Sequence, residues 1–286
     1  MLTKESIDHW TRIFYTIDDK TPPYFNIYEE TRYTPIESPH NDISLVIEDI
    51  HSPFEKDEIL EEVSQVQAEN LIIVGDWFDF FSRSHYVKRA RPSIDFKREF
   101  ALAFRTLVNL CKKFPQVYLM IANHDSRFAK SLYDTVSKDD IDFVQVTLLE
   151  DLLSVIPNLS VVSQKNGRNI NYVWQYRDVV FTHIEKSSVQ DSKILEDIER
   201  HLHQWRDVYK LNDYRAIIQA HNHRYCHNII AGKHCYLAPC MIDIDKPAFD
   251  YVFNGKAFGK PPVLGYMILK WTEGKFDHSQ TKTVIR

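Results

Sequence analysis

Five short blocks built from aspartate, asparagine and histidine constrain this chain more than any other feature, because most of them follow an apolar run that reads as a buried strand. The central one is Leu71-Ile72-Ile73-Val74-Gly75-Asp76-Trp77-Phe78-Asp79. Its β-branched run has no polar face, as expected of a strand covered on both sides, and it ends at Gly75-Asp76, so the Asp76 carboxylate is expected at the strand's C-terminal end. Ligands of open α/β sheets sit beyond that edge. Upstream lies Asp49-Ile50-His51; downstream come Asn123-His124-Asp125, His183 and His221-Asn222-His223. An isolated Gly-Asp is ordinarily a turn opening, but turn chemistry does not explain five convergent blocks.

The text around the blocks alternates. Strands are predicted over Ile43 to Ile47, Leu71 to Val74 and Val117 to Ile121, and helices over Asp57 to Ala68 and Phe96 to Phe114. That βαβαβ order implies parallel strands and right-handed crossovers. The stripe Phe96, Phe100, Ala103, Phe104, Leu107, Leu110 and Cys111 has helical period and reads as a packing face. After Asp125 the pattern turns richer in β: Leu159 to Ser163, Ile170 to Trp174, Val179 to Thr182, Ala216 to Gln219, Asn228 to Ala231, Cys235 to Ala238 and Tyr266 to Trp271. One helix, Ser188 to Tyr209, interrupts them, burying Ile194, Leu195, Ile198, Leu202, Trp205 and Tyr209. A second, mixed sheet packed on the first is expected. Residues 1 to 42 read as a covering extension, with a short amphipathic helix from Ser6 to Ile17 and the Pro-rich segment Thr21-Pro22-Pro23. No linker divides the remainder, so residues 43–286 are expected to form one domain.

The 286 residues suffice for a substantial core. A net charge of −5 provides no global field toward nucleic acid or anionic membrane, and no apolar run approaches the roughly 20 residues of a membrane span. The start Met1-Leu2-Thr3-Lys4-Glu5-Ser6 lacks a signal peptide's apolar core. The four cysteines, Cys111, Cys226, Cys235 and Cys240, form no Cys-x-x-Cys pair and read as reduced, mostly buried thiols in a cytoplasmic protein.

Carboxylate, imidazole and amide oxygen donors in a rigid cage with one open position are what a water-activating divalent metal requires. Asp49, His51, Asp76, Asn123, His183, His221 and His223 offer that set. Asp76 is the natural bridge, since one carboxylate can give an oxygen to each of two metals. None of these residues is a serine- or cysteine-type nucleophile, so no covalent intermediate is indicated.

The blocks resemble the calcineurin-like metallophosphoesterases, whose pattern is Asp-x-His, Gly-Asp-x-x-Asp, Gly-Asn-His-Asp/Glu, a lone Gly-His and Gly-His-x-His. Here they read Asp49-Ile50-His51, Gly75-Asp76-Trp77-Phe78-Asp79, Ala122-Asn123-His124-Asp125, Thr182-His183 and Ala220-His221-Asn222-His223, in the same order over about residues 43 to 240. The resemblance implies a four-layer α/β/β/α sandwich, an α/β fold with two mixed sheets, carrying a binuclear centre. One metal would take Asp49, His51, Asp76 and His223, and the other Asp76, Asn123, His183 and His221. His124 would stand over the phosphate and protonate the leaving oxygen, Asp125 would orient its imidazole, Asp79 would lie behind the ligands and Arg127 would reach a phosphate oxygen. Ala122, Thr182 and Ala220 depart from the usual glycines, and Glu48 replaces a small residue before Asp49; on a strand Glu48 is expected to face away from it.

Two divalent metals are therefore expected, manganese first, with iron, zinc or magnesium as alternatives, and the activity implied is hydrolysis of a phosphoester by metal-activated water. Arg83, His85, Lys88, Arg89 and Arg91 form a basic run beside the Gly-Asp block that favours a nucleotide or nucleic-acid substrate. A charge run is also commonly a solvated face. A phosphodiesterase or nuclease is the first reading; a protein or small-molecule phosphomonoesterase, which needs no such run, is the second, and a binding scaffold without catalysis the third. Retention of every ligand type weighs against the scaffold, because buried charges need metal or partners. Cys226-His227, His234-Cys235 and Cys240 fit no compact zinc finger and read as strand positions with apolar thiols.

Overall fold

The apolar runs become sheet because each presents side chains alternately to two buried layers. The computed structural model describes residues 27–83, 96–127, 149–162, 164–166, 169–246 and 261–286. The predicted helix from Ser6 to Ile17, the segment Thr21-Pro22-Pro23, and His85, Lys88, Arg89 and Arg91 lie outside the described residues. The strands of the first half are β1 (Ile43–Ile47), β2 (Asn70–Val74), β3 (Gln116–Met120), β4 (Leu159–Val161), β5 (Gln164–Asn166) and β6 (Asn169–Asn171). Those that follow are β7 (Val173–Tyr176), β8 (Val179–Thr182), β9 (Ala216–Gln219), β10 (Cys226–Ile230), β11 (Lys233–Leu237), β12 (Gly265–Thr272), β13 (Lys275–Phe276) and β14 (Lys282–Ile285). The α-helices are α1 (Ile27–Glu30), α2 (Asp57–Val63), α3 (Phe96–Cys111), α4 (Leu149–Leu153) and α5 (Asp191–Gln204).

One sheet runs β13-β12-β1-β2-β3-β4, with β14 also against β12; the other runs β10-β11-β9-β8-β7, and β5-β6 is a separate hairpin. Strands β1 to β4 are mutually parallel, as are β8, β9 and β11, while β12, β10 and β7 join antiparallel. Both sheets are mixed, as expected.

The layering follows from strand alternation. Leu45, Ile47, Leu71, Ile73, Val117 and Leu119 point to one side, where they meet Ile59 and Val63 of α2, Phe100, Phe104 and Leu107 of α3, and Leu152 and Leu153 of α4. Val46, Ile72, Val74 and Met120 point to the other side, against Val179, Phe181, Ala216, Ile218 and Tyr236 of the second sheet. The outer face of that sheet, with Val180, Ile217, Cys235 and Leu237, is covered by Ile194, Leu195, Ile198 and Leu202 of α5. The order is helix, sheet, sheet, helix. Truncating one of these fully buried leucines to alanine costs on the order of 2–5 kcal/mol. The extension reaches this core through Ile27, and the Tyr33 hydroxyl donates to Asn158 Oδ1 at 2.6 Å.

Several of the sequence expectations shift. Helix α2 ends at Val63 instead of Ala68, because Gln65 and Val66 donate to carbonyls three residues back and tighten the chain into turns. Helix α5 is shorter at both ends than Ser188 to Tyr209. The run Ile170 to Trp174 divides between β6 and β7 at Tyr172, whose carbonyl accepts the N–H of His183. Strands β13 and β14 and helix α4 are additional. Cys111, Cys235 and Cys240 are buried and Cys226 is half-buried.

One buried carboxylate supports the chain beyond Asp79. Glu99 of α3 accepts the backbone N–H groups of Phe81 (2.5 Å) and Ser82 (3.0 Å). Burial pushes its pKa up to about 7; the hydrogen bonds from Ser82 and Phe81 pull it down, and the charge of Asp79 pushes it up further. The unfolded chain titrates this group near 4.5, so the fold favours its protonated form. That contribution to stability is fully present below the unfolded value and is lost as pH rises through about 7. In denaturant titrations of wild type and Glu99→Gln, the difference in stability is expected to move against wild type across this window. A difference independent of pH would contradict the assignment.

Candidate metal centre

The parallel strands all deliver their chemistry at one edge. Asp49 and His51 follow β1, Asp76 follows β2, Asn123 and His124 follow β3, His183 follows β8, and His221 and His223 follow β9. Three overlapping groups bring one ligand atom from each member within 4.8 Å of the others: Asp49, His51 and His223; His51, Asp76 and His124; and Asp76, His183 and His221. Asp76 belongs to two of them. Its Oδ2 lies 3.2 Å from His183 Nε2, 3.8 Å from His51 Nε2 and 3.9 Å from His124 Nε2. Asp49 Oδ1 lies 3.6 Å from both His183 Nε2 and His223 Nε2.

The other oxygen of each aspartate is fixed by backbone. Asp76 Oδ1 accepts the N–H of His124 at 2.9 Å, and Asp49 Oδ2 accepts that of His221 at 2.8 Å. Each carboxylate thus spans two strand ends and keeps one oxygen turned toward the histidines. His183 Nδ1 donates to the Val74 carbonyl at 2.8 Å, which leaves Nε2 facing the aspartates.

Burial and charge oppose each other here. Burial alone would raise the Asp76 and Asp49 pKa values, but His183 with His124 holds Asp76 well below the carboxylate range, and His223 with His183 holds Asp49 at about 2. Burial would lower His183, yet Asp76 and Asp49 lift it to about 10. Burial and the charge of His183 bring His221 down to about 4. Among the described residues, Asp49 Oδ1, Asn123 Oδ1 and His183 Nε2 are buried and find no hydrogen-bond partner. Buried donors of this kind, oxygen and imidazole nitrogen together, fit divalent metal ions.

Asp79 does more than stand behind the ligands. Its Oδ1 accepts from His51 Nδ1 at 2.9 Å and from His124 Nδ1 at 2.7 Å, so one carboxylate sets two imidazoles with their Nε2 atoms toward Asp76. Arg127 closes the group, donating from Nη1 to the Asp79 carbonyl and from Nη2 to His124 Nε2, both at 2.9 Å. The expectation that Asp125 orients His124 is corrected. The Asp125 carboxylate instead accepts the N–H of Phe78 (2.7 Å) and of Ala122 (2.9 Å), tying the loops after β2 and β3 together. Its separation from His124 was hidden because both of its partners are backbone groups, which leave no mark in a sequence.

The departures from glycine have physical counterparts. Thr182 is fully buried and donates its hydroxyl to Gln219 Oε1 at 2.5 Å, while Gln219 Nε2 donates to the carbonyls of Ile184 and Ala220. This pair joins the ends of β8 and β9, and neither member stood out in the sequence as functional. Glu48 is fully buried and neither carboxylate oxygen has a hydrogen-bond partner among the described residues; burial, with Asp49 and Asp76 adding repulsion, lifts its pKa well above the carboxylate range. Arg83 ends a 3-10 turn, Phe81–Arg83.

The sequence model of the calcineurin-like phosphoesterases matches residues 45–255. No curated protein matches the chain in sequence. Among solved structures, Vps29 of Entamoeba histolytica complexed with zinc is 11% identical, covering 85% of this chain and 98% of its own, with a TM-score of 0.39. An archaeal phosphodiesterase is also 11% identical, covering 85% of this chain and 99% of its own, with a TM-score of 0.41. Vps29 of Chaetomium thermophilum is 10% identical, covering 86% and 96%, with a TM-score of 0.38.

Gly75 has no room for a side chain. It has φ +81°, and a Cβ there would stand 2.5 Å from both Ala122 Cβ and His183 Nδ1. Gly75→Ala is expected to cost on the order of 2–5 kcal/mol, from left-handed strain and overpacking together, and to lower metal content. Denaturant melts and metal analysis check it. A variant as stable and as metal-rich as wild type would show that the contact relaxes freely.

Proposed function

The chain belongs to the calcineurin-like phosphoesterase family and is a metal-dependent phosphoester hydrolase; from that premise we propose that it is a phosphodiesterase acting on nucleotides or nucleic acid. The observation that supports this reading best is the arrangement of Asp79, His124 and Arg127 beside the doubly shared Asp76 carboxylate. An alkoxide leaving from a diester needs a proton, and an imidazole held by a carboxylate through Nδ1 offers one from Nε2. His124 is 16% exposed, at the rim of the buried group.

In this proposal Asp49, His51, Asp76 and His223 hold one metal, and Asp76, Asn123, His183 and His221 hold the other. Manganese is the metal proposed, because carboxylate and amide oxygens supply the hard donors of both sets. When bound, the pair supplies Lewis acidity and a water-derived nucleophile for in-line displacement. Asp79 keeps the His124 ring in register with the phosphate. Arg127 hands its hydrogen bond from His124 Nε2 to a phosphate oxygen, which frees that nitrogen to carry the proton. The basic residues Arg83, Lys88, Arg89 and Arg91 are proposed to hold flanking phosphates of a nucleic-acid substrate. Residues 43–286 are proposed as one catalytic domain, with residues 1–42 as an extension packed on it. No helix among the described residues is long and apolar enough to cross a membrane.

With manganese added to chelator-treated protein, an aryl phosphodiester is expected to turn over faster than its monoester; the reverse order would assign a phosphomonoesterase. His124→Asn is expected to keep the metal content and lower diester turnover by about 10²–10⁴-fold, the usual contribution of a general acid. Unchanged turnover would remove His124 from the mechanism.

A further inference from the structure

A second group of metal-binding side chains lies away from the strand ends that carry the dinuclear centre. His227 of β10, His234 of β11 and His278, in the turn between β13 and β14, bring one ring nitrogen each within 4.8 Å of the others. The sequence scatters them, and pairing of β10 with β11 collects the first two: His227 stands opposite Tyr236 and His234 opposite Ile229, which puts all four on one face. The neighbouring Cys235 turns to the opposite face, into the core under α5. His278 arrives from the other sheet, through the turn that follows β13.

Two of the three rings already meet nitrogen to nitrogen, in a hydrogen bond that a shared ion would replace. His227 Nε2 and His234 Nδ1 are 3.1 Å apart, near the roughly 3.3 Å that separates two ligands of a tetrahedral zinc with bonds of about 2.05 Å. The His234 and His278 rings stack with centroids 4.0 Å apart, and the His227 and His278 rings at 4.8 Å, so the exposed His278 ring turns out of the stack to aim its nitrogen at an ion shared with the other two. Tyr236 Oη and His278 Nδ1 are 2.6 Å apart, a contact that orients the third ring as an outer partner orients a metal-binding histidine. His278 is exposed and the other two are half-buried, so an ion can enter from solvent.

We propose that His227, His234 and His278 form a third, separate site for an imidazole-preferring divalent ion such as zinc or nickel, stapling the β10–β11 hairpin of one sheet to the C-terminal turn of the other. The donor set is all nitrogen, whereas half the donors proposed for each metal of the dinuclear centre are oxygen, so this site favours imidazole-preferring ions more strongly. Burial, together with the neighbouring imidazoles, holds His227 and His234 below the usual histidine range; both rings are neutral at physiological pH and need lose no proton to bind. At this cross-sheet position a bound ion stabilises the folded chain by mass action.

The test is zinc stoichiometry in the full chain, chelator-treated, loaded with excess manganese and dialysed against zinc buffered at about 10 µM, a level at which a micromolar site is about nine-tenths filled. Wild type is expected to retain one zinc equivalent more than His278→Asn and than His234→Gln, and to gain a zinc-dependent rise in Tm that both variants lack, while all three keep the same manganese-dependent hydrolysis. Comparison with the variants subtracts any zinc that displaces manganese. His278 is an exposed turn residue, so His278→Asn keeps the comparison valid if His234→Gln folds poorly. Equal zinc content in wild type and His278→Asn would overturn the proposal.

Discussion

The carboxylate of Asp76 is the interaction on which the site depends. It is buried at the end of a strand, with one oxygen bound to the His124 backbone and the other facing His183, His51 and His124. A charge in that position is tolerated only with partners, since removing one from water costs several kcal/mol. The partners come from three other strand ends, so the same carboxylate that shapes the centre also requires both sheets to be in place. Asp49 repeats the arrangement, with its backbone bond reaching across to His221 on the second sheet. The site and the packing of one sheet on the other are therefore a single construction.

That construction is held in backbone geometry that side chains ordinarily avoid. Asp49, His51, Asp76, His221 and His223 all have positive φ, between +45° and +77°. Such residues cost of order 1–3 kcal/mol each and persist where their surroundings over-determine them. Here the surroundings are the strands on one side of each residue and the ladder of side-chain-to-backbone bonds on the other: Asp125 to Phe78 and Ala122, Gln219 to Ile184 and Ala220, Glu99 to Phe81 and Ser82. Gly75 lets β2 approach Ala122 and His183 closely enough for the Val74 carbonyl to meet the His183 ring.

Much of this was legible beforehand. Ile43–Ile47, Val179–Thr182 and Ala216–Gln219 were read to their ends because each is an apolar, β-branched run closed by polar residues. The alternation that gives the layering was equally plain. Strands β13 and β14 were missed because Lys275–Phe276 and Lys282–Ile285 are short and largely polar, with no buried run to mark them. The proposed ligands stood out because five blocks of Asp, Asn and His converge along the chain, most of them after strand-like runs, which turn chemistry alone does not explain. Asp125 and Gln219 did not disclose their roles, since a side chain that binds backbone has no partner residue to betray it. The grouping of His227, His234 and His278 was invisible for a related reason: it needs the register of one hairpin and the arrival of a turn from the other sheet.

Anomalous diffraction from crystals of the manganese-loaded protein addresses the central claim directly. Two peaks about 3.5–4 Å apart are expected, one on each side of the Asp76 carboxylate, with Asp49, His51 and His223 around one and Asn123, His183 and His221 around the other. A single peak, or a pair that does not share Asp76, would contradict it.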